Sequence, residues 1–128
     1  MLKVYPAIFH HEDDSYWVEF PDLKGCHTYG NTVEETMELA SEALGLYLAS
    51  LMDENKTLNK PSSIKEINVN DGFVSYVSSD PYKYSNKNKA VKKTLTIPEW
   101  LNDEAEKYHI NFSGVLKDAL IEKLNVIR

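Results

Sequence analysis

The ten residues 81–90, PYKYSNKNKA, hold one proline, three lysines and little that a core could bury. A stretch of that composition interrupts any hydrophobic core, so the chain reads as three parts: a front domain over 1–80, a linker over 81–90 and a tail domain over 91–128. The division also sorts charge. The 128 residues carry 14 Lys+Arg against 20 Asp+Glu, net −6, an average that argues against an anionic partner such as nucleic acid. Residues 1–80 hold five lysines and 14 acids, net −9, whereas residues 81–128 hold nine basic and six acidic residues, net +3. An acidic front and a basic tail predict two domains with different partners.

The one cysteine, Cys26, has no second thiol to pair with inside the chain, so the fold is expected to hold without a disulfide. The apolar runs are only a few residues long, against the roughly 20 needed to span a bilayer. The start, Met1-Leu2-Lys3-Val4-Tyr5-Pro6, lacks a secretory core and cleavage site. A cytoplasmic protein without membrane contact is expected.

In the front segment, β-branched and aromatic residues fill 2–9 and 15–20, and the polar patch His10-His11-Glu12-Asp13-Asp14 between them predicts a hairpin turn. Tyr16, Val18 and Phe20 alternate with Trp17 and Glu19, giving one buried face and one mixed face. Pro21-Asp22-Leu23-Lys24-Gly25 predicts a turn, and Cys26-His27-Thr28-Tyr29 a short third strand. Thr32-Val33-Glu34-Glu35 has the pattern of a capping box. Behind it Val33, Met37, Ala40, Leu44, Tyr47, Leu48 and Leu51 trace a helical apolar stripe to about Met52, widened by Leu39, Ala43 and Leu46. So wide a face either meets another chain or closes on an intrachain core. A loop at 59–63 and a strand at 73–77 complete a βββαβ order.

The tail predicts a strand and two helices. Val91, Leu95 and Ile97 share one face of the strand, which puts Lys92, Thr94 and Thr96 on the other. Pro98 suits the first helical position, and Leu101, Ala105 and Tyr108 supply a stripe. His109-Ile110 breaks that helix, and Asn111 caps a second whose apolar face is Phe112, Val115, Leu116, Ala119, Leu120 and Leu124. Residues 90–128 number 39, a length at which chains of fewer than about 40 residues seldom fold without a staple, metal or partner. Dimerisation through a strand pair supplies the missing core and the missing ladder partner together. A two-stranded ribbon enters the major groove of B-DNA, where Lys92, Thr94 and Thr96 reach base edges, while the N–H groups of Phe112 and Ser113 behind the Asn111 cap meet a phosphate.

These residues carry two resemblances. The tail, with its strand ending at Ile97-Pro98, its amphipathic helix and its Asn111-Phe112-Ser113 helix start, resembles a ribbon-helix-helix DNA-binding domain. The front, with Tyr16-Trp17-Val18 ahead of Phe20-Pro21-Asp22-Leu23-Lys24-Gly25-Cys26, resembles the HicB antitoxin family. Together they imply an α+β protein: a degenerate RNase H-like βββαβ domain, then a ribbon-helix-helix (βαα) dimerisation domain. They imply a non-enzymatic antitoxin without cofactor that covers a small, basic, mRNA-cleaving HicA-like toxin and represses its own operon at operator DNA, as a homodimer or tetramer. Glu12, Asp13, Asp14, Glu19 and Asp22 are the candidate toxin contacts. Three positions depart from the pattern: Lys24 replaces a usual proline, His109 a usual glycine, and Gly114 the Glu or Gln that would complete the second helix's capping box.

Other chemistries fare worse. His10, His11 and the three acids after them, with Cys26-His27, could suggest a metal site or a Cys-His catalytic pair, but adjacent strand residues point to opposite faces. Glu12, Asp13 and Asp14 follow one another in a single turn, unlike the converging acids of a two-metal nuclease. Stacking of Tyr16 and Trp17 on single-stranded nucleic acid is opposed by the front's charge. A stand-alone repressor with a ligand-sensing front domain is the alternative function, distinguished by a metabolite response and no toxin partner.

Overall fold

The computed structural model of the chain describes residues 1–127, which form two compact units, Leu2–Lys89 and the residues from Ala90 onward. The first holds four strands, β1 (Lys3–Glu12), β2 (Ser15–Glu19), β3 (His27–Gly30) and β4 (Phe73–Ser79), with one long helix, α1 (Val33–Asp53), between β3 and β4. The strands form a single antiparallel sheet in the order β3-β2-β1-β4. This is the expected βββαβ order, with one change at the hairpin. β1 runs through His10, His11 and Glu12, which pair with Trp17, Tyr16 and Ser15, so only Asp13 and Asp14 make the turn. Asp13 adopts φ 54° there, a left-handed conformation that aspartate tolerates better than most residues.

Register fixes the faces. Tyr5, Ala7, Phe9, Val18, Phe20 and Val77 are buried on one side with Ala40, Leu44 and Leu48 of α1. The i, i+4 spacing of those three helical residues stacks them along one line over the sheet. Burying each leucine contributes roughly 1.5–3 kcal/mol. Thr32 caps α1 by accepting from the Glu35 N–H at 3.1 Å. The far flank of the wide helical face stays open, with Leu46 exposed. Gly45 lies where a Cβ would come within 2.5 Å of Ser79 Oγ and the Tyr84 ring, so the helix approaches β4 and the segment after it more closely than any side chain permits.

That segment revises the expected boundary. Residues 81–90 were expected as a linker, yet Pro81–Tyr84 form a 3-10 turn with Pro81 buried. Asp53 at the end of α1 accepts from Ser85 Oγ at 2.5 Å and from the Asn86 N–H at 2.8 Å. The proline starts the turn, as its fixed φ suits it to do, and a distant carboxylate holds what composition alone marks as free. Lys83, Lys87 and Lys89 therefore belong to the first unit. Leu2–Lys89 carries eight lysines and 14 acids, net −6, and the sequence from Ala90 carries six basic and six acidic residues, net 0.

The second unit contains α2 (Glu99–Lys107) and α3 (Phe112–Ile127). Pro98 is the residue before α2 rather than its first residue. His109 takes the left-handed conformation, φ 52°, at the position after α2 where glycine is usual, and its N–H bonds the Glu106 carbonyl at 3.1 Å. Asn111 Oδ1 accepts from the Gly114 N–H at 3.1 Å. Residues 91–97, expected as a strand, have no strand structure in the single chain, because a β ladder requires a second strand and the four-stranded sheet ends at β3 and β4. None of the described residues of this unit is buried.

Candidate functional site

On the face of the sheet opposite α1, two regions differ. Toward β4 the chain covers itself. Residues 59–70 cross to that side, where the Ile64 N–H reaches Tyr76 Oη and Ile64, Ile67 and Val69 are half-buried. Toward β3 the face is open. There the register aligns His10, Trp17 and Tyr29 across three strands, with Glu19 beside His27 in the neighbouring row.

An open groove of about 560 Å³ runs over this second region, lined by Glu12, Trp17, Glu19, His27 and Tyr29 on the strands and by Phe20, Pro21 and the loop residues 23–26. Its back wall is organised by His10. The imidazole stacks on Trp17 with centroids 3.9 Å apart and planes within 13°. Its Nδ1 lies 3.1 Å from Asp71 Oδ1 and its Nε2 3.6 Å from Glu19 Oε1. Tyr29 is 66% exposed, a high value for an aromatic residue in a strand. The loop rim contributes Lys24, whose carbonyl accepts from Tyr47 Oη at 2.9 Å, which fixes the loop to α1. Gly25 turns that loop at φ 84°.

The five acids expected to contact a partner separate into three groups. Glu12 and Glu19 line the groove. Asp13 and Asp14 are exposed in the β1–β2 turn. Asp22 is engaged within the chain: its Oδ2 accepts from the Ser62 N–H at 2.8 Å, its Oδ1 from the Ser62 hydroxyl, and its carbonyl from Asn59 Nδ2 at 2.8 Å. Its geometry is that of a staple on the 59–62 loop, which the expectation from charge alone could not show. Conversely, His10 and Asp71 escaped the sequence reading because 61 residues separate them. Tyr29 carried a usable signal: two positions after His27, it shares that residue's face.

Cys26 and His27 face opposite ways. Cys26 is buried toward α1, its Sγ 3.7 Å from the Ala43 carbonyl, and burial pushes its thiol up to about 11, so it is not a nucleophile at neutral pH. His27 is exposed on the groove side. Among the described residues no three His, Cys, Asp or Glu side chains come together to hold a metal.

In the second unit the candidate base readers Lys92, Thr94 and Thr96 are exposed, but so is the face expected to be buried behind them: Val91 is 88% exposed, and Leu95 and Ile97 are open as well. Leu116, Leu120 and Leu124 of α3 likewise lack cover. Asn111 directs its side-chain oxygen to the Gly114 N–H, so it acts as the helix cap, with Phe112 and Ser113 opening the helix beside it.

An acidic α+β unit with an open groove, followed by a helical unit whose apolar face is uncovered, defines a binding protein of two modules. Within that class the chain belongs to the HicB-like antitoxins of bacterial toxin–antitoxin systems, whose family model matches residues 5–119. The chain is similar to a protein in a toxin–antitoxin complex from Streptococcus pneumoniae, at 32% identity and TM-score 0.63 over 96% of this chain and 99% of that one. It shares its fold with the Burkholderia pseudomallei antitoxin HicB, at 23% identity and TM-score 0.56 over 95% and 98% of the two chains. An uncharacterized 14.9 kDa protein of Haemophilus phage HP1 is 28% identical over 109 residues, 82% of this chain and 80% of that protein. No helix among the described residues is long and apolar enough to cross a membrane.

Proposed function

We propose that the chain is the antitoxin of a HicA/HicB-type pair: its first unit binds and neutralises a HicA-like, mRNA-cleaving toxin, and its second unit represses the shared operon at operator DNA. The observation that carries the reading is the family match across both units, joined by the similarity to a protein of a toxin–antitoxin complex over 96% of the chain. The toxin contacts are Glu12, Asp13, Asp14 and Glu19, whose carboxylates favour a basic partner. Asp22 supports them from behind by fixing the loop. Neither activity requires catalysis or a cofactor by this chain, and both place it in the cytoplasm.

The second unit acts as a ribbon-helix-helix dimer. Its uncovered apolar face favours pairing, because none of residues 91–127 is fully buried in the single chain and two copies bury each other's faces. Pairing of residues 91–97 with the same residues of a second copy supplies the ladder missing in one chain. Lys92, Thr94 and Thr96 then face the major groove, and the α3 start at Phe112 and Ser113, capped by Asn111, meets the phosphate backbone. With a net charge of 0 from Ala90 onward, DNA affinity depends on Lys92, Lys93 and the lysines just before them, and on two or more tails acting together.

Expression of the chain in cells making the toxin encoded beside it tests this reading. Growth should be restored, and the two proteins should purify together. Continued growth arrest with the chain present in folded form would overturn it.

A further inference from the structure

We propose that the groove over β2 and β3 is a seat for a cationic side chain, an arginine presented by a basic polypeptide partner, held between the Trp17 and Tyr29 rings with Glu19 and Glu12 as counter-charges. This deepens the antitoxin reading and rests on it for the partner's identity. The chemistry follows from the order of the rings. Trp17 stacks one face on His10, so the face toward the β3 side lines the groove that Tyr29 also lines. A guanidinium is planar, stacks on aromatic faces and is weakly hydrated, so a groove lined by two rings suits it better than it suits an ammonium. Glu19 accepts a forked pair of N–H groups, and its Oε1 stands 3.6 Å from His10 Nε2, beyond hydrogen-bond reach, so its lone pairs stay open to an incoming donor.

Charge selects the occupant. Glu12 and Glu19 line the groove and Asp13 and Asp14 rise from the adjoining turn, on a unit of net charge −6. Lys24 on the rim is the one cation among the lining residues. The groove is open along its length, which admits a side chain projecting from a protein surface. An anionic ligand meets carboxylates on the floor, and an apolar one leaves them unpaired.

Calorimetry with the full chain and its toxin tests the seat. Tyr29→Ala and Glu19→Gln should each weaken binding about 5- to 10-fold, the range of a stacked or charge-assisted contact at a half-exposed site, with unchanged thermal unfolding. Wild-type affinity in both variants would overturn the seat while leaving the antitoxin reading standing. If the wild-type chain binds no toxin, the antitoxin reading fails and the seat is judged separately by NMR titration with a tri-arginine peptide and a tri-glutamate control. Shifts at Trp17, Glu19 and Tyr29 with tri-arginine alone support the seat, and their absence up to about 10 mM overturns it.

Discussion

The carboxylate of Asp22 holds Ser62 at two points, accepting from its backbone N–H at 2.8 Å and from its hydroxyl. Forty residues separate the partners, and the contact joins the turn after β2 to the loop that leaves α1. Tyr5 reinforces it by donating to the Asn59 carbonyl at 2.5 Å, and burial, with the nearby Asp22 charge, raises the tyrosine above its ordinary range. Asp22→Ala should therefore destabilise the protein by about 2 kcal/mol, the usual cost of losing hydrogen bonds to a charged group. Urea unfolding measures this. A loss of toxin affinity with no loss of stability would instead make Asp22 a contact residue.

Asp53 fixes the start of the connection between the units. Hydrogen bonds from the Ser85 hydroxyl and the Asn86 N–H hold its carboxyl below the ordinary value. A carboxylate depressed in the folded state contributes stability above its unfolded pKa of about 3.9, and that stability is lost as pH falls through the folded value. Hydrogen exchange at the Asn86 amide should accelerate, relative to the intrinsic rate, when pH is lowered through that range. Asp53→Asn should remove the dependence, and equal pH dependence in the variant would refute the contact's role.

The parts of the fold legible in sequence were those set by local pattern. The Thr32 cap, the α1 stripe and the alternation around Val18 follow from neighbours a few residues apart. The docking of residues 81–89 did not, because Asp53 lies 32 residues from Ser85. The same reason hid the His10–Asp71 contact and the engagement of Asp22. Charge singled out Glu12 and Glu19, which line the groove, but only strand register could show that Trp17 and Tyr29 join them.

Leu120 of α3 is 53% exposed in the single chain, so a lone chain loses little when it becomes polar. Leu120→Asp should leave α2 and α3 helical and dissociate the proposed dimer, because a buried carboxylate without a partner costs several kcal/mol at an apolar interface. Sedimentation analysis reads the result. An unchanged dimer would place the pairing elsewhere.

In the proposed operator complex, Lys92 and Thr94 test two kinds of DNA contact. Thr94→Ala should lower affinity for the operator more than for unrelated DNA, by about 1–3 kcal/mol if it reads a base. Lys92→Ala should also lower operator affinity if Lys92 reads a base, whereas a phosphate role would weaken both DNAs alike and reduce the salt slope by about 0.9. Operator binding as tight as wild type in either variant would remove that residue from the interface.

A cleavage assay measures the proposed neutralisation of a ribonuclease by the first unit of the chain. A purified HicA-like toxin is incubated with mRNA while the full chain is added in increasing amount. Cleavage should fall in proportion to added chain and cease near stoichiometric equivalence, with the two proteins co-eluting on gel filtration. Undiminished cleavage in excess folded chain would mean that the chain does not neutralise the toxin.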